Sequence, residues 1–260
     1  MNHRPFISKM TQLENDICEV EFSIDVAGED VPCVIWKPRD SVKSRVMIAM
    51  GHGGSQHKKT QSIRDRAIRY AATFGWTSLA IDAPKHGDRI TRSEAEAESR
   101  KTQSRIRGDV TAPSLSAGDK IAFLDKLATQ AVTEWQAALD TSIVFFATDV
   151  DSVAYWGISQ GTWIGVPLLA KDQRFKCAVF GLAQLHPDHV AFKNAAARIT
   201  VPLRFAFQWD DTIRSREYGL ALFNAFGSSD KSMHINPGGH TEIPTAEIAS
   251  WDLFFQHHLR

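Results

Sequence analysis

The tightest constraint on this chain lies in nine residues, Val153-Ala154-Tyr155-Trp156-Gly157-Ile158-Ser159-Gln160-Gly161. A β-branched and aromatic run enters Gly-x-Ser-x-Gly, and Thr162, Trp163, Ile164, Val166, Leu168, Leu169 and Ala170 then supply the apolar side of a helix. A strand that reverses directly into a helix strains its corner residue and brings neighbouring chain close on both sides. Glycine at 157 and 161 removes the side chains that would collide there. Ser159 sits at the tip of the turn, and Pro167 predicts a bend or an early end to the helix because it has no N–H to donate.

The remaining segments alternate in a way that calls for a layered α/β architecture. Residues 19–24 alternate with period two and residues 31–36 follow a turn signal, which predicts an antiparallel strand pair at the N-terminal edge of the sheet. The continuous apolar run at 46–50 reads as a strand buried on both faces, and 77–81, 177–182, 202–208 and 231–236 read as the strands that follow. Helical spacing covers 62–74, 121–144, 217–226 and 246–259. Strand and helix alternate from residue 46 onward, which predicts a mostly parallel central sheet with helices on both faces, in one domain spanning 1–260. Residues 183–200 are too few for a large cap domain. Residues 91–118 are rich in charge, Ser and Gln, and read equally as a lid or as a solvated excursion.

Charge excludes some partners. Lys plus Arg equals Asp plus Glu at 30 each, so no net field draws the chain to nucleic acid or an anionic membrane. Cys18, Cys33 and Cys177 are odd in number and irregularly spaced in apolar runs, as expected of buried thiols in a reducing compartment. The first 14 residues carry charge throughout and lack an apolar core of about 7–15 residues, and no run of about 18 apolar residues occurs. The expectation is a cytoplasmic protein with a small-molecule partner. His186 and His189 stand in a His-x-x-His pattern, but without cysteine or carboxylate clusters at ligand spacing they are read as no metal site.

Three polar groups fall directly after three strands: Ser159, Asp210 or Asp211, and His240. In a parallel sheet these positions share one rim, so residues distant in sequence can meet. Their order, Ser then Asp then His, matches the Gly-x-Ser-x-Gly hydrolases and neither of the other two common serine-hydrolase arrangements. The loop Gly51-His52-Gly53-Gly54-Ser55 follows another strand and lets backbone approach the same rim. On this reading the N–H groups of Gly54 and Gln160 form an oxyanion hole, the latter at a helix start where the dipole favours negative charge. His52, Gly53 and Trp209 are candidates for substrate contact. His86, Asp88 and Arg89 either line the site or belong to a loop that fixes its own shape, and Trp163 is assigned to the core.

Gly51-His52-Gly53-Gly54, 82–89, 157–161, 208–213 and 237–240 together resemble the α/β-hydrolases, and within them the small dienelactone-hydrolase-like serine esterases. Dienelactone hydrolases proper use cysteine where this chain has Ser159. The family's acid commonly stands in Gly-x-x-Asp after its strand; aligning Gln208 with that glycine implies Asp211 as the acid, with Asp210 a turn or capping neighbour. The resemblance implies an α/β-hydrolase fold and hydrolysis of a small-molecule carboxylic ester, lactone or thioester by Ser159, His240 and Asp211 through an acyl-enzyme. Water is the second substrate and no cofactor is needed. C–C bond hydrolysis or acyl transfer on the same three residues, or ligand binding without catalysis, are the competing readings.

Overall fold

The computed structural model describes residues 3–39, 45–107, 109 and 116–259. Its frame is a nine-stranded sheet, with strands β1 (Phe6–Leu13), β2 (Ile17–Val26), β3 (Glu29–Pro38), β4 (Val46–Gly51), β5 (Thr77–Ile81), β6 (Ser152–Ile158), β7 (Phe175–Gly181), β8 (Leu203–Gln208) and β9 (Lys231–Asn236). They lie in the order β1-β2-β3-β5-β4-β6-β7-β8-β9. Pairings from β1 to β5 through β2 and β3 are antiparallel, and all those from β5 through β4 to β9 are parallel. The α/β-hydrolase fold and its mostly parallel sheet are thus as expected.

Residues 19–24 and 31–36 do pair, joined by a tight turn in which Ala27 and Gly28 both have positive φ, as a two-residue hairpin loop requires. They are not the edge, however. β1 pairs outside them, although its residues alternate exposed Phe6 and Met10 with polar groups and bury almost nothing. Backbone pairing, with the Ser8 hydroxyl on the Glu21 carbonyl and Leu13 against the core, holds this strand, and pairing leaves no hydrophobic period to read.

The described residues form seven α-helices, of which all but α2 pack on the sheet: α1 (Gln61–Phe74), α2 (Arg92–Arg107), α3 (Ala117–Phe145), α4 (Gln160–Lys171), α5 (Val190–Ala197), α6 (Arg216–Ala225) and α7 (Thr245–His258). One core joins α1 and α7 to the sheet through Ile63, Tyr70, Trp251 and Phe255; the other joins α3, α4, α5 and α6 through Trp135, Ile164, Phe192 and Leu222. α1 ends at Gly75, left-handed with φ 68°, and α3 begins where the Ser116 side chain accepts the Asp119 N–H. α4 continues through Pro167 to Lys171, so the early end does not occur. Eight of its residues are buried, and that packing outweighs one missing backbone bond.

Within 91–118, α2 is a helix without a single buried residue. Residues 108 and 110–115 lie outside the described residues. Cys18, Cys33 and Cys177 are all buried and free. Among the described residues no helix is long and apolar enough to cross a membrane.

Candidate active site

The turn from β6 into α4 builds the centre of the site. Ser159 holds φ 56° and ψ −116°, a strained corner, and its N–H donates to the Gly181 carbonyl at the end of β7. Close packing requires the flanking glycines. A Cβ on Gly161 would come 2.5 Å from the Gly51 carbonyl oxygen of β4, and one on Gly157 would come 2.7 Å from the Tyr155 ring. Tyr155, fully buried below the turn, donates its hydroxyl to the Gly161 carbonyl at 2.7 Å. Thr162, read from sequence only as helix interior, accepts the Gly181 N–H and reaches the Gly157 and Gly181 carbonyls, so it pins the turn to β7.

Ser159, His240 and Asp211, which follow β6, β9 and β8, meet at one rim. Ser159 Oγ lies 3.0 Å from His240 Nε2, and His240 Nδ1 lies 2.6 Å from Asp211 Oδ2. A carboxylate can only accept, so Nδ1 donates to Asp211 and Nε2 is left to accept the Ser159 hydroxyl. The other oxygen of Asp211 accepts the N–H groups of Ile213 and Arg214 at 2.9 and 3.0 Å. The acid is completely buried and held on both oxygens.

Asp210 serves the same loop from outside. Its side chain accepts the Gly238 N–H at 2.9 Å and its own N–H donates to the Gly238 carbonyl, which braces the turn before His240. Gly238 needs its φ of 102° and its missing Cβ there, because the Glu242 carboxylate, bonded to Gly239 N–H, occupies the space. Gln208 adds a connection that sequence reasoning missed. Fully buried, it donates to the Pro237 and Glu242 carbonyls at 3.1 and 2.7 Å and so ties the end of β8 to the histidine loop.

The loop after β4 approaches from the other side. A Cβ on Gly54 would lie 3.3 Å from Gln160 Oε1, so Gly54 and Gln160 are neighbours across the rim. Gly53 and His52, expected among the substrate contacts, are engaged otherwise. The Gly53 N–H donates to Gln56 Oε1, and its carbonyl accepts His52 Nδ1 at 2.8 Å. His52 Nε2 accepts the Ala83 N–H at 3.0 Å, so both ring nitrogens serve backbone and the side chain is buried. Burial, with neighbouring His86 adding to it, pushes the His52 pKa down to about 4 and keeps the ring neutral. His52 therefore locks the loop after β4 to the loop after β5.

Trp209 is 54% exposed, lies under the Arg216 guanidinium at 4.3 Å, and lines a groove with Phe207, Leu220, Met233 and Ile235 beside the edge strand β9. Of the open alternatives for 82–89, the self-braced loop is what forms. Asp82 accepts the N–H of Lys58, the ammonium of Lys58 and the N–H of Asp88, while Arg89 makes a two-pronged pair with Glu134 of α3 at 2.7 and 2.9 Å. Trp163 is buried against Phe192 and His189. His189 Nε2 donates to Asp125 Oδ1 at 2.7 Å, and among the described residues no group of three or more His, Cys, Asp or Glu could hold a metal.

α2 completes the surroundings. Ser55, next to Gly54, donates to the Glu98 carbonyl and touches Thr102 Oγ1 at 2.6 Å, while Thr212, next to Asp211, donates to the Ile106 carbonyl. The helix thus spans from the glycine loop to the loop after β8 through these polar contacts.

No protein-family model and no curated protein sequence matches the chain. Solved structures do. The chain is 28% identical, with a TM-score of 0.79 and 100% of both chains covered, to a cold-adapted esterase from an Arctic intertidal metagenomic library. An acetyl xylan esterase from Paenibacillus sp. R4 is 17% identical with a TM-score of 0.73, covering 99% of this chain and 89% of that one. A dienelactone hydrolase from Anabaena variabilis is 18% identical with a TM-score of 0.63, covering 99% of this chain and 100% of the other. The last two share its fold.

Proposed function

We propose that this chain, an α/β-hydrolase of the carboxylesterase type, cleaves small-molecule esters with Ser159 as nucleophile, His240 as general acid and base, and Asp211 as the group that orients the imidazole. One observation carries the reading: the unbroken hydrogen-bond chain from Ser159 Oγ through His240 to buried Asp211, placed on a strained turn at a helix start. His240 Nε2 takes the hydroxyl proton as Oγ bonds to the ester carbonyl carbon, and Asp211 stabilises the imidazolium that forms. The carbonyl oxygen becomes an oxyanion facing the N–H groups of Gln160 and Gly54, where each donor is worth about 3 kcal/mol in systems of this kind. His240 then returns the proton to the leaving alkoxide as the C–O bond breaks. Water, deprotonated by the same imidazole, attacks the acyl-enzyme, and collapse of the second tetrahedral intermediate frees the acid and restores Ser159. α2, anchored to both flanking loops, is the cover that limits access of bulk water to these steps.

The test is labelling with a fluorophosphonate probe, read by intact mass, for the wild type and Ser159→Ala, with p-nitrophenyl acetate and butyrate assays on both. A single adduct lost in the variant together with turnover is the expected result. A wild type that takes no adduct and turns over neither ester overturns the assignment.

A further inference from the structure

Gln208 holds the acid with its main chain and the histidine loop with its side chain. It ends β8, and its carbonyl accepts the Asp211 N–H at 3.3 Å, the first link of the turn that carries the acid. Its amide crosses to the loop after β9. There Nε2 donates to the Pro237 carbonyl at 3.1 Å and to the Glu242 carbonyl at 2.7 Å, so one bond falls before His240 and the other after it. Both hydrogens of a single amide nitrogen are thereby committed to the two ends of the loop. Where the Gly-x-x-Asp pattern would place a glycine, no side chain exists to make this link, so it belongs to this sequence in particular.

The link has one stable form. Gln208 is completely buried, and its remaining polar atom, Oε1, is buried without a hydrogen-bond partner. Turning the amide over would set that oxygen against two carbonyl oxygens, so the donor stays on the loop. Other bonds shape the loop without the same reach. Glu242 N–H donates to the Gly239 carbonyl and Gly239 N–H to the Glu242 carboxylate, which closes the loop on itself. Trp209 N–H reaches the Asn236 carbonyl, and Asp210 exchanges bonds with Gly238, but both lie before His240. Among the described residues at the end of β8, Gln208 alone grips the chain on both sides of the histidine. A loop bonded on one side can swing about that point, whereas one bonded on both sides is fixed.

We infer that Gln208 is a positioning residue of the hydrolytic site: by fixing the histidine loop against the turn of the acid, it keeps His240 Nδ1 on Asp211 and His240 Nε2 on Ser159. It touches no reacting atom and acts through His240. The inference rests on the ester-hydrolase reading for its effect on turnover, but not for its effect on the bond between His240 and Asp211. The two distances it protects are 2.6 Å from Nδ1 to Asp211 and 3.0 Å from Nε2 to Ser159 Oγ. Proton transfer needs the imidazole within that reach, and a displacement of about 1 Å can cost about a hundredfold in rate.

The experiment compares wild type with Gln208→Met, which keeps the length of the side chain and removes both donors. Leu139→Ala is the stability control, since it opens a cavity near the end of α3 that feeds into β6, away from the rim. With p-nitrophenyl butyrate, Gln208→Met is expected to lower kcat by about thirtyfold and to change KM by less than about threefold. Leu139→Ala is expected to lower the melting temperature at least as far while kcat stays within about twofold. The second readout is proton NMR. The short bond from His240 Nδ1 to Asp211 gives a far-downfield proton resonance, assigned by its absence from His240→Ala. It is expected in wild type and in Leu139→Ala and is expected to broaden or vanish in Gln208→Met. Gln208→Asn, which keeps an amide but withdraws it by one methylene, is read in the same way should the methionine variant not fold. A kcat loss no greater than that of Leu139→Ala, or a resonance no different from that of wild type, overturns the positioning role and leaves the esterase reading intact. Loss of the resonance in Gln208→Met, with no ester turned over even by wild type, overturns the esterase reading and leaves Gln208 as the group that holds His240.

Discussion

Asp211 gives one oxygen to His240 and the other to two backbone N–H groups, whereas Asp210 holds the Gly238 N–H that shapes the histidine's own turn. Replacing Asp211 by Asn offers His240 an amide that can donate to Nδ1, which favours the tautomer with a proton on Nε2 and removes the acceptor of the Ser159 hydroxyl. A loss in kcat on the order of a thousandfold or more is expected. Asp210→Asn keeps an oxygen for Gly238, and its loss should stay within about tenfold. A larger loss at 210 than at 211 in the same assay would transfer the acid role. His52 carries a different prediction. Its folded pKa of about 4 lies below the ordinary 6.5, so the unfolded chain takes up the proton first. The neutral buried ring therefore contributes its full stability above about pH 6.5, and up to about 3 kcal/mol of it is lost as pH falls to about 4. His52→Gln, which keeps an acceptor for the Ala83 N–H, should flatten the fall of melting temperature between pH 6.5 and 4. An unchanged slope would show that another group is responsible.

At the scale of elements, the turn between β6 and α4 depends on contact between backbones. Gly161 lies so close to Gly51 that an added Cβ would meet the carbonyl oxygen at 2.5 Å, with no flexible side chain able to yield. Gly161→Ala must push α4 away from β4 and, with it, Gln160 away from Gly54. Destabilisation by about 3 kcal/mol is expected in urea unfolding, and on the proposed mechanism, in which the displaced groups face the developing oxyanion, a fall in kcat larger than any rise in KM. A variant with wild-type stability and activity would mean that the two elements are not packed this tightly. α2 is the contrasting case, an element held to the loops flanking the site by hydroxyl-to-carbonyl bonds rather than by a buried face, and braced within itself by i,i+4 pairing such as Arg92 with Glu96. Such a helix can yield to substrate at little cost in core packing.

At the scale of the molecule, the parallel half of the sheet does the assembling. Strands β4, β6, β8 and β9 end at one rim, and each contributes the loop that follows it: Gly54, Ser159, Asp211 and His240. Helices on both faces hold the strands at fixed spacing, α1 and α7 on one side and α3 to α6 on the other. Buried ion pairs lock the rim loops to that frame. Lys58 joins the loop after β4 to Asp82 and Asp88, and Arg89 joins the loop after β5 to Glu134 on α3. In both, burial alone would suppress the charged base, but the facing carboxylates outweigh it and hold Lys58 and Arg89 above their ordinary pKa.

The sequence by itself determined the elements that bury apolar residues with a period, and the order of Ser159, Asp211 and His240 after their strands. Both follow from local rules: period two or 3.6 for burial, and glycine where a turn leaves no room for a side chain. It did not determine β1, which is held by backbone pairing without a hydrophobic stripe, or the continuity of α4 through Pro167, where packing overrides a local penalty. It also left open the direction of each side chain in the rim loops. His52 and Gly53 turned inward to backbone partners, Trp209 turned outward under Arg216, and Gln208 and Arg214 reached carbonyls far along the chain. Those choices depend on which backbone groups lack a partner once the sheet has closed, and residues more than twenty positions apart share that accounting only in three dimensions.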